Sequence, residues 1–238
     1  MNTVKFNKRN TKAVAHRGVS KLERENTNAA FIAAGNRSYF GIETDMYKTS
    51  DNRFVLMHDG KTGRVSKTDI PIETSTYEEL RNLILTDLDG QDRSDLRIPD
   101  LEDYIKICKK YDKICVLELK SQFSEEDTKA FCEIINSYGY LENVIFISFH
   151  LDNLLKIKYL YPEQKVQYLR GDFEEGLTEL LVKNKMDLDI YYQGLTKERL
   201  DECHKNGILV NCWTVDNPAD AEKLSEWGVD FITTNILE

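Results

Sequence analysis

The chain has 238 residues, of which 41% are hydrophobic and 31% charged, with 12 glycines, 4 prolines and a formal net charge of -9. This composition is typical of an ordinary globular protein and excludes the fibrous and low-complexity classes. The negative charge argues against a nucleic-acid partner, which is bound mainly through Lys and Arg, and no apolar run is long enough for stable membrane insertion.

Segments of strand character alternate with segments of helical character along the whole chain. The strand-like runs, in chain order, are 12–16, 41–47 with its continuation 53–58, 113–120, 144–149, 165–170, 186–192, 207–215 and 229–234. Each run except the last precedes a helical segment, such as 26–37 after the first run and 125–139 after the third. Ser124 and Thr196 are the predicted N-caps of two of these helices.

Alternation of strands and helices over the full length predicts a parallel sheet. Eight strand-like runs in 238 residues favour a closed (β/α)8 TIM barrel over an open doubly wound sheet. No linker-like stretch divides the chain, so we expect a single domain that spans residues 1–238. The irregular segments 58–75 and 86–100 are expected to form loops near the mouth of the barrel.

Residues with useful side-chain chemistry fall where the predicted strands end, which is the edge of a TIM barrel that carries catalytic groups. They are His16 and Arg17 after the first run, Glu43 and Asp45 along the second, His58 after its continuation, Glu118 and Lys120 at the end of the third, and Trp213 at the end of the seventh. This agreement in position is stronger evidence for a site than any one motif.

Three carboxylates among these residues predict a metal site. Glu43 and Asp45 are two residues apart on a strand, so both side chains leave the same face. Two close carboxylates repel, and one takes up a proton unless a cation holds both. Glu118 supplies the third oxygen ligand that one divalent metal ion, Mg²⁺ or Ca²⁺, would require. The alternative is that the strand frays here and that Glu43 and Asp45 are merely solvated.

Two histidines at strand ends predict acid and base catalysis. One neutral imidazole can accept a proton from an attacking oxygen while a protonated one donates to the leaving oxygen. His16 and His58 are the candidates, and either assignment of acid and base fits the sequence. Hydrogen-bonded structural histidines are the competing interpretation.

The remaining candidates suit an anionic organic substrate. Arg17 offers a planar fork that matches two phosphate oxygens, and Gly18 beside it would let the backbone approach a ligand. Lys120 can clamp a phosphate oxygen, although a simple ion pair with Glu118 is the alternative. Trp213 can cover the carbon skeleton of the substrate or fill the core. Together these residues predict metal-assisted cleavage of a small phosphate ester.

The cysteines and the N-terminal segment predict a cytoplasmic protein. The five cysteines form an odd set without a C-x-x-C pair, which favours buried, reduced thiols over disulfides. The first twelve residues are basic, but no uncharged apolar core follows them as it would in a secretory signal.

A series of motifs resembles the glycerophosphodiester phosphodiesterases over nearly the whole chain and in the same order. The motifs are AHRG (15–18), ENTNAAF (25–31), IETD (42–45), HD (58–59), LELK (117–120), WTVDN (213–217) and GVDFIT (228–233). The resemblance implies a (β/α)8 barrel that uses a divalent metal to hydrolyse glycerophosphodiesters to glycerol 3-phosphate and an alcohol.

The resemblance also implies a role for each candidate residue. His16 and His58 would be the acid and base pair and Arg17 a phosphate ligand. Lys120 would be a further phosphate contact, and the metal ligands would be Glu43, Asp45 and Glu118. The implied reaction is attack on phosphorus, with the 2-hydroxyl of the glycerol unit as a candidate nucleophile that expels the alcohol and forms a cyclic phosphate, which water then opens to glycerol 3-phosphate.

Two departures from the family pattern lie where substrate selectivity could be set. After His58 only Arg64 and Ser66 keep the family register, and Asn235 stands where an Asp is common. The alternatives are a related barrel enzyme that acts on lysophospholipids or sphingolipids, and a noncatalytic barrel that binds a phosphorylated metabolite. A water-soluble substrate is preferred, because the sequence shows no obvious exposed apolar loop for acyl chains.

Overall fold

The computed structural model describes residues 2–238, in which strands and helices alternate. In chain order the elements are β1 (Lys12–Ala15), α1 (Asn28–Gly35), β2 (Gly41–Lys48), β3 (Phe54–Leu56), α2 (Tyr77–Asn82), β4 (Leu85–Thr86), β5 (Asp92–Arg93), α3 (Leu101–Lys110), β6 (Ile114–Leu119), α4 (Glu125–Ser137), β7 (Val144–Ser148), α5 (Leu151–Leu160), β8 (Lys165–Arg170), α6 (Leu177–Asn184), β9 (Asp187–Tyr191), α7 (Lys197–Lys205), β10 (Val210–Trp213), α8 (Pro218–Trp227) and β11 (Phe231–Thr234). Short 3₁₀ helices follow α4 and β9.

Eight of the strands are parallel and close into a barrel. The order is β1, β2, β6, β7, β8, β9, β10 and β11, and β1 pairs with both β2 and β11. This closure confirms the predicted TIM barrel. The predicted N-caps are also confirmed, because Ser124 and Thr196 accept hydrogen bonds from Asp127 N and Arg199 N at the starts of α4 and α7.

The segment between β2 and α3 departs from the regular strand–helix alternation. Residues 53–58 do not continue β2 as predicted, since the chain reverses and β3 pairs antiparallel with β2 outside the barrel. The reversal places Asn52 at φ +60°, a left-handed conformation that Asn tolerates better than most residues. The rest of this insertion contains α2 and the small β4–β5 ribbon, and it brings His58 to the barrel mouth.

The interior of the barrel carries both apolar and polar side chains. Its apolar layer consists of Val14, Val116, Ile145, Ile147, Leu169 and Phe231. Side chains alternate between the two faces of each strand, and other inner positions carry polar residues. Gln167, Asp189, Asn211 and Thr233 are all buried there. These side chains fill the interior, which therefore forms a closed floor beneath any site at the strand ends.

A second and larger core lies between the barrel and its helices, and a smaller one lies within the insertion. The larger core contains the five cysteines, all of which are buried free thiols, as predicted. Residues 2–238 contain no helix with the length and apolar composition that crossing a bilayer requires.

Glu238 links the last residues to the N-terminal segment through hydrogen bonds and an ion pair. We therefore expect its charge to stabilise the folded protein. Its carboxylate accepts hydrogen bonds from Thr3 Oγ1 at 2.6 Å and Ser38 N at 2.7 Å, and Lys5 Nζ lies 3.1 Å away. Although burial raises the pKa of Glu238, these contacts outweigh it and lower the pKa to about 2. The stabilisation is therefore fully present above about pH 4.3, the pKa of an unfolded Glu, and is lost as the pH falls through about 2.

Glu238→Gln is expected to lower the free energy of unfolding by about 1–2 kcal/mol at pH 7, with a smaller deficit near pH 3. Urea unfolding at the two pH values measures the difference. The control is Glu226→Gln, which removes an exposed ion pair with Arg9 and should change the free energy by less than about 0.5 kcal/mol. An equal deficit at both pH values would show that the charge is not responsible.

Candidate active site

A cavity of about 90 Å³ opens to solvent at the carboxyl ends of the barrel strands. Seven of the eight residues that the sequence predicted for the site line it, namely His16, Arg17, Glu43, His58, Glu118, Lys120 and Trp213. The eighth, Asp45, lies at its edge with Oδ1 3.5 Å from Lys120 Nζ. The structure thus brings all eight predicted residues together, although they come from separate parts of the chain.

The three carboxylates form a compact buried cluster. Glu43, Asp45 and Glu118 each offer an oxygen, and these oxygens lie within 4.8 Å of one another. The residues are 3%, 1% and 8% exposed. Strands β2 and β6 create the cluster, because Asp45 and Glu118 are register partners and Glu43 shares the face of Asp45.

The electrostatics of this cluster fit a hard cation. Burial and then repulsion by Asp45 raise the pKa values of Glu43 and Glu118, so these groups favour protons when no other positive charge is near. The pKa of Asp45 is held below its usual range despite burial, because Arg17 and Lys120 lie close to it. Asp45 Oδ1 is buried and accepts no hydrogen bond from residues 2–238. Three converging carboxylates, one with an oxygen that accepts no hydrogen bond, are the donor set that Mg²⁺ or Ca²⁺ prefers.

Two cationic side chains border the carboxylates. Arg17 donates from Nη1 to Glu25 at 2.9 Å, and its Nε lies 3.5 Å from Asp45 Oδ2. Lys120 Nζ lies 3.0 Å from Glu118 Oε1. These contacts hold two positive charges at the cavity wall, where an anionic ligand would meet them.

The turn at Gly18 directs Arg17 toward the cavity. Arg17 and Gly18 adopt φ values of +53° and +78°. A Cβ atom at Gly18 would lie 2.6 Å from Ala30, so the turn packs directly on α1. In the structure the close approach at Gly18 is to this helix, and a contact between its backbone and a ligand stays a prediction.

The side-chain amide of Asn235 orients the imidazole of His16. Its Nδ1 lies 2.7 Å from Asn235 Oδ1, and Asn235 Nδ2 donates to Asp216 at 2.8 Å. Because the amide nitrogen is committed to Asp216, its oxygen faces His16, and Nδ1 must carry the proton. Nε2 is then free to accept a proton on the side where Glu43 lies 3.9 Å away. Burial, followed by the charge of Arg17, lowers the pKa of His16 to about 4.

The carboxylate of Asp59 orients the imidazole of His58. Its Nδ1 lies 2.7 Å from Asp59 Oδ1, and Arg64 Nε donates to the other oxygen of Asp59 at 2.6 Å. Arg64 also donates twice to Glu25, at 2.6 and 2.8 Å. A continuous chain of charged contacts therefore runs from His58 through Arg64 to Arg17. Burial is the largest cause of the lowered pKa of His58.

An aromatic and aliphatic wall faces the charged groups across the cavity. Trp213 lies between Phe149 and Tyr191, with ring centroids at 5.7 and 5.6 Å. Ile147 and Leu169 extend the wall toward the barrel floor. Trp213 lines the cavity and also packs on the apolar layer beneath, so both interpretations of this residue hold in part.

The sequence interpretation missed the residues that support the histidines and Arg17. Glu25 and Asp59 lie within the ENTNAAF and HD motifs, but neither residue was predicted to have a role in the site. Asn235 was placed with substrate selectivity, whereas the structure puts it against His16. Asp189 also lines the cavity, but the run MDLDIYY resembles an ordinary strand and gave no sign of it.

Known proteins match this chain over the region that carries these motifs. Residues 16–238 match the glycerophosphoryl diester phosphodiesterase family. A glycerophosphodiester phosphodiesterase of Caldanaerobacter subterraneus subsp. tengcongensis is 32% identical over 235 residues, which covers 94% of each chain.

Solved structures agree in fold over the same length. An Oleispira antarctica phosphodiesterase in complex with the product sn-glycerol-3-phosphate has a TM-score of 0.86 at 25% identity, covering 94% of this chain and 92% of that one. A glycerophosphodiester phosphodiesterase from Parabacteroides distasonis has a TM-score of 0.79 at 30% identity, covering 95% and 93%.

Proposed function

Because the chain belongs to the glycerophosphoryl diester phosphodiesterase family, whose members hydrolyse glycerophosphodiesters, we propose that it does so with one divalent metal ion and two catalytic histidines. The products are glycerol 3-phosphate and an alcohol. The observation that carries this proposal is the convergence of three buried carboxylates beside two imidazoles and two cations in one cavity.

Glu43, Asp45 and Glu118 would hold the metal, Mg²⁺ or Ca²⁺. Their mutual distances, and the Asp45 oxygen that accepts no hydrogen bond, support this assignment. A divalent cation bound there supplies positive charge that polarises phosphoryl oxygens. Arg17 and Lys120 reach the same space and would bind phosphate oxygens, which orients the phosphorus toward the imidazoles.

The hydrogen-bond partners of the two histidines favour different roles. Asn235 is a neutral acceptor that leaves His16 Nε2 available as a base for the attacking hydroxyl. Asp59 is an anionic acceptor that stabilises an imidazolium, so His58 is suited to donate a proton to the leaving oxygen. We assign His16 as the base and His58 as the acid.

A small water-soluble diester fits the site better than a large or polyanionic ligand. The cavity is small, about 90 Å³ before it opens to solvent, which favours a compact phosphate ester against the wall of Trp213. The net charge of -9 supports a small-molecule substrate over a nucleic-acid backbone. The product complex of the Oleispira antarctica relative supports glycerol 3-phosphate as the product unit.

The proposal is tested with glycerophosphocholine, glycerophosphoethanolamine and lysophosphatidylcholine, assayed after chelation with EDTA and again with Mg²⁺ or Ca²⁺ restored. We expect EDTA to remove activity toward the two glycerophosphodiesters, either metal to restore it, and the lysophospholipid to react more slowly. Full activity after chelation would contradict the metal site. No hydrolysis of any diester with metal restored would favour a noncatalytic binding protein, and preference for the lysophospholipid would favour the lipid-directed alternative.

Asn235 is expected to position His16, so its removal should lower kcat. Asn235→Leu keeps the side-chain size but removes the acceptor for Nδ1, and we expect kcat to fall about 10- to 100-fold with a smaller change in KM. The control is Ser20→Ala, which removes the other donor to Asn235 Oδ1 and leaves the bond to His16. Steady-state kinetics of both variants measure kcat and KM. A wild-type kcat in Asn235→Leu would exclude a positioning role for Asn235.

We also propose a cytoplasmic location and a single domain over residues 1–238. Five buried free thiols support a reducing compartment. Cell fractionation tests the location, since recovery outside the cytoplasm would contradict it.

A further inference from the structure

Arg64 connects the residues that orient two active-site side chains. Its Nε donates to Asp59 Oδ2 at 2.6 Å, and its Nη1 and Nη2 donate to the two oxygens of Glu25 at 2.6 and 2.8 Å. Asp59 in turn contacts His58 Nδ1 at 2.7 Å, and Glu25 accepts from Arg17 Nη1 at 2.9 Å. His58 and Arg17 line the cavity, but Arg64 and its two carboxylate partners do not. Any effect of Arg64 on a ligand must therefore pass through His58 and Arg17.

The side chain of Arg17 depends on Glu25 for its orientation. The backbone of Arg17 is fixed, because its N–H donates to Glu43 Oε2 at 2.8 Å and its carbonyl accepts from Asn26 N at 3.0 Å. Within residues 2–238, however, the guanidinium forms its only hydrogen bond with Glu25. Although burial raises the pKa of Glu25, the hydrogen bonds from Arg64 and the charge of Arg17 outweigh it and lower the pKa, so the carboxylate stays ionised at neutral pH.

The contacts of Arg64 join two separate parts of the chain. Arg64 and Asp59 belong to the insertion between β2 and α3, whereas Arg17 and Glu25 belong to the loop between β1 and α1. Strand pairing fixes β3, but it does not fix the side chains of the loop that follows. Exposed ion pairs usually contribute little. This one differs, because one planar guanidinium meets two carboxylates along two of its edges and the side chain of Glu25 is only 15% exposed.

We propose that Arg64 is a positioning residue that fixes Arg17 and His58 relative to each other through Glu25 and Asp59. It thereby keeps the phosphate-binding guanidinium and the proton-donating imidazole in the geometry that one substrate requires. This inference rests on the proposed function for the roles of Arg17 and His58, but a binding measurement tests it without turnover.

Arg64→Gln removes the link, and two substrates separate its effects on the two side chains. On glycerophosphocholine we expect kcat to fall about 10- to 100-fold and KM to rise about 3- to 10-fold. On the 4-nitrophenyl ester of glycerol 3-phosphate, the leaving group needs no proton from His58. The kcat should therefore recover most of its value there, whereas the rise in KM, which reports on Arg17, should persist. A general loss of structure would lower kcat equally for both substrates.

Two further variants keep the result decisive. Arg93→Gln is the matched control, because Arg93 Nη1 lies 2.7 Å from Glu23 and joins the insertion to the same loop without touching Arg17 or His58. It should keep the wild-type kcat and KM. Arg64→Lys keeps the charge but cannot donate along two edges, so it should behave like Arg64→Gln, and it preserves the test if that variant folds poorly.

Three kinetic results would overturn the inference: wild-type kinetics in either Arg64 variant, equal losses of kcat on both substrates, or the same losses in Arg93→Gln. If the wild type hydrolyses no diester with metal restored, the proposed function fails, and calorimetric titration with glycerol 3-phosphate and Ca²⁺ tests the link instead. A Kd about 3- to 10-fold higher in Arg64→Gln, but unchanged in Arg93→Gln, would support the inference. Equal Kd values in the wild type and both variants would overturn it.

Discussion

Asp45→Asn is expected to lower hydrolysis of glycerophosphocholine by at least about 10²- to 10³-fold, the effect of losing one strong electrostatic group from a catalytic site. Asp45 lies beside both cations, with Arg17 Nε and Lys120 Nζ each 3.5 Å from one of its oxygens. It is also a proposed metal ligand. The substitution therefore removes the negative charge that lies beside Arg17, Lys120 and the proposed metal ion. The side-chain volume stays nearly constant.

Metal binding by the folded protein separates this effect from simple loss of structure. A cation that binds only the native state stabilises it by about 2.7 kcal/mol at a concentration of 100 times Kd. The melting temperature of the wild type should therefore rise with Mg²⁺ or Ca²⁺, and that of Asp45→Asn should respond much less. The control is Asp201→Asn on the exposed face of α7, which should keep both activity and the metal response.

A folded Asp45→Asn protein with wild-type activity and an unchanged metal response would show that the carboxylates do not form a metal site. Loss of activity with an unchanged metal response would instead assign Asp45 to the positioning of Arg17 and Lys120. The two measurements thus distinguish the two functions that the geometry allows this residue.

The barrel and the convergence of its charged residues were predictable because both follow from simple periodicities. A strand repeats every two residues, so Glu43 and Asp45 had to share a face once β2 was recognised. Parallel strands in a closed barrel end at one edge, so His16, Glu118 and Trp213 had to meet although they are far apart in the chain. The structure brings these residues to one cavity.

The insertion was less predictable because its geometry depends on local turns. The reversal at Asn52 turns an apparent continuation of β2 into an antiparallel partner. The pattern of apolar residues in 53–58 is the same for either direction of the chain, so periodicity could not distinguish them. Only the turn decides where His58 lies.

The contacts that hold the catalytic side chains in place were harder to predict, because the residue types involved can play several roles. Arg64 keeps the family register after His58, but its partners Glu25 and Asp59 could not be identified from the sequence. Asn235 and Asp189 have no motif that reports their partners. Their positions follow from strand register, which a single sequence specifies only through the structure that it forms.

His16→Ala and His58→Ala are each expected to lower kcat by about 10²- to 10⁴-fold, the usual contribution of general base or general acid catalysis. The two variants should differ in how they respond to the leaving group. An alkoxide needs a proton as it leaves, whereas 4-nitrophenolate is stable without one. Exchange of the choline of the substrate for 4-nitrophenol should therefore restore much of the activity of His58→Ala and little of that of His16→Ala.

Kinetics on glycerophosphocholine and on the 4-nitrophenyl ester of glycerol 3-phosphate make this comparison directly. His204→Ala is the control, because His204 lies outside the cavity and its Nε2 pairs with Asp230 at 2.9 Å. Rescue of His16→Ala alone would reverse the assignment of acid and base. Wild-type rates in both variants would remove the histidines from the mechanism. Because groups that act in one step are not additive, the double variant should be little slower than the slower single variant.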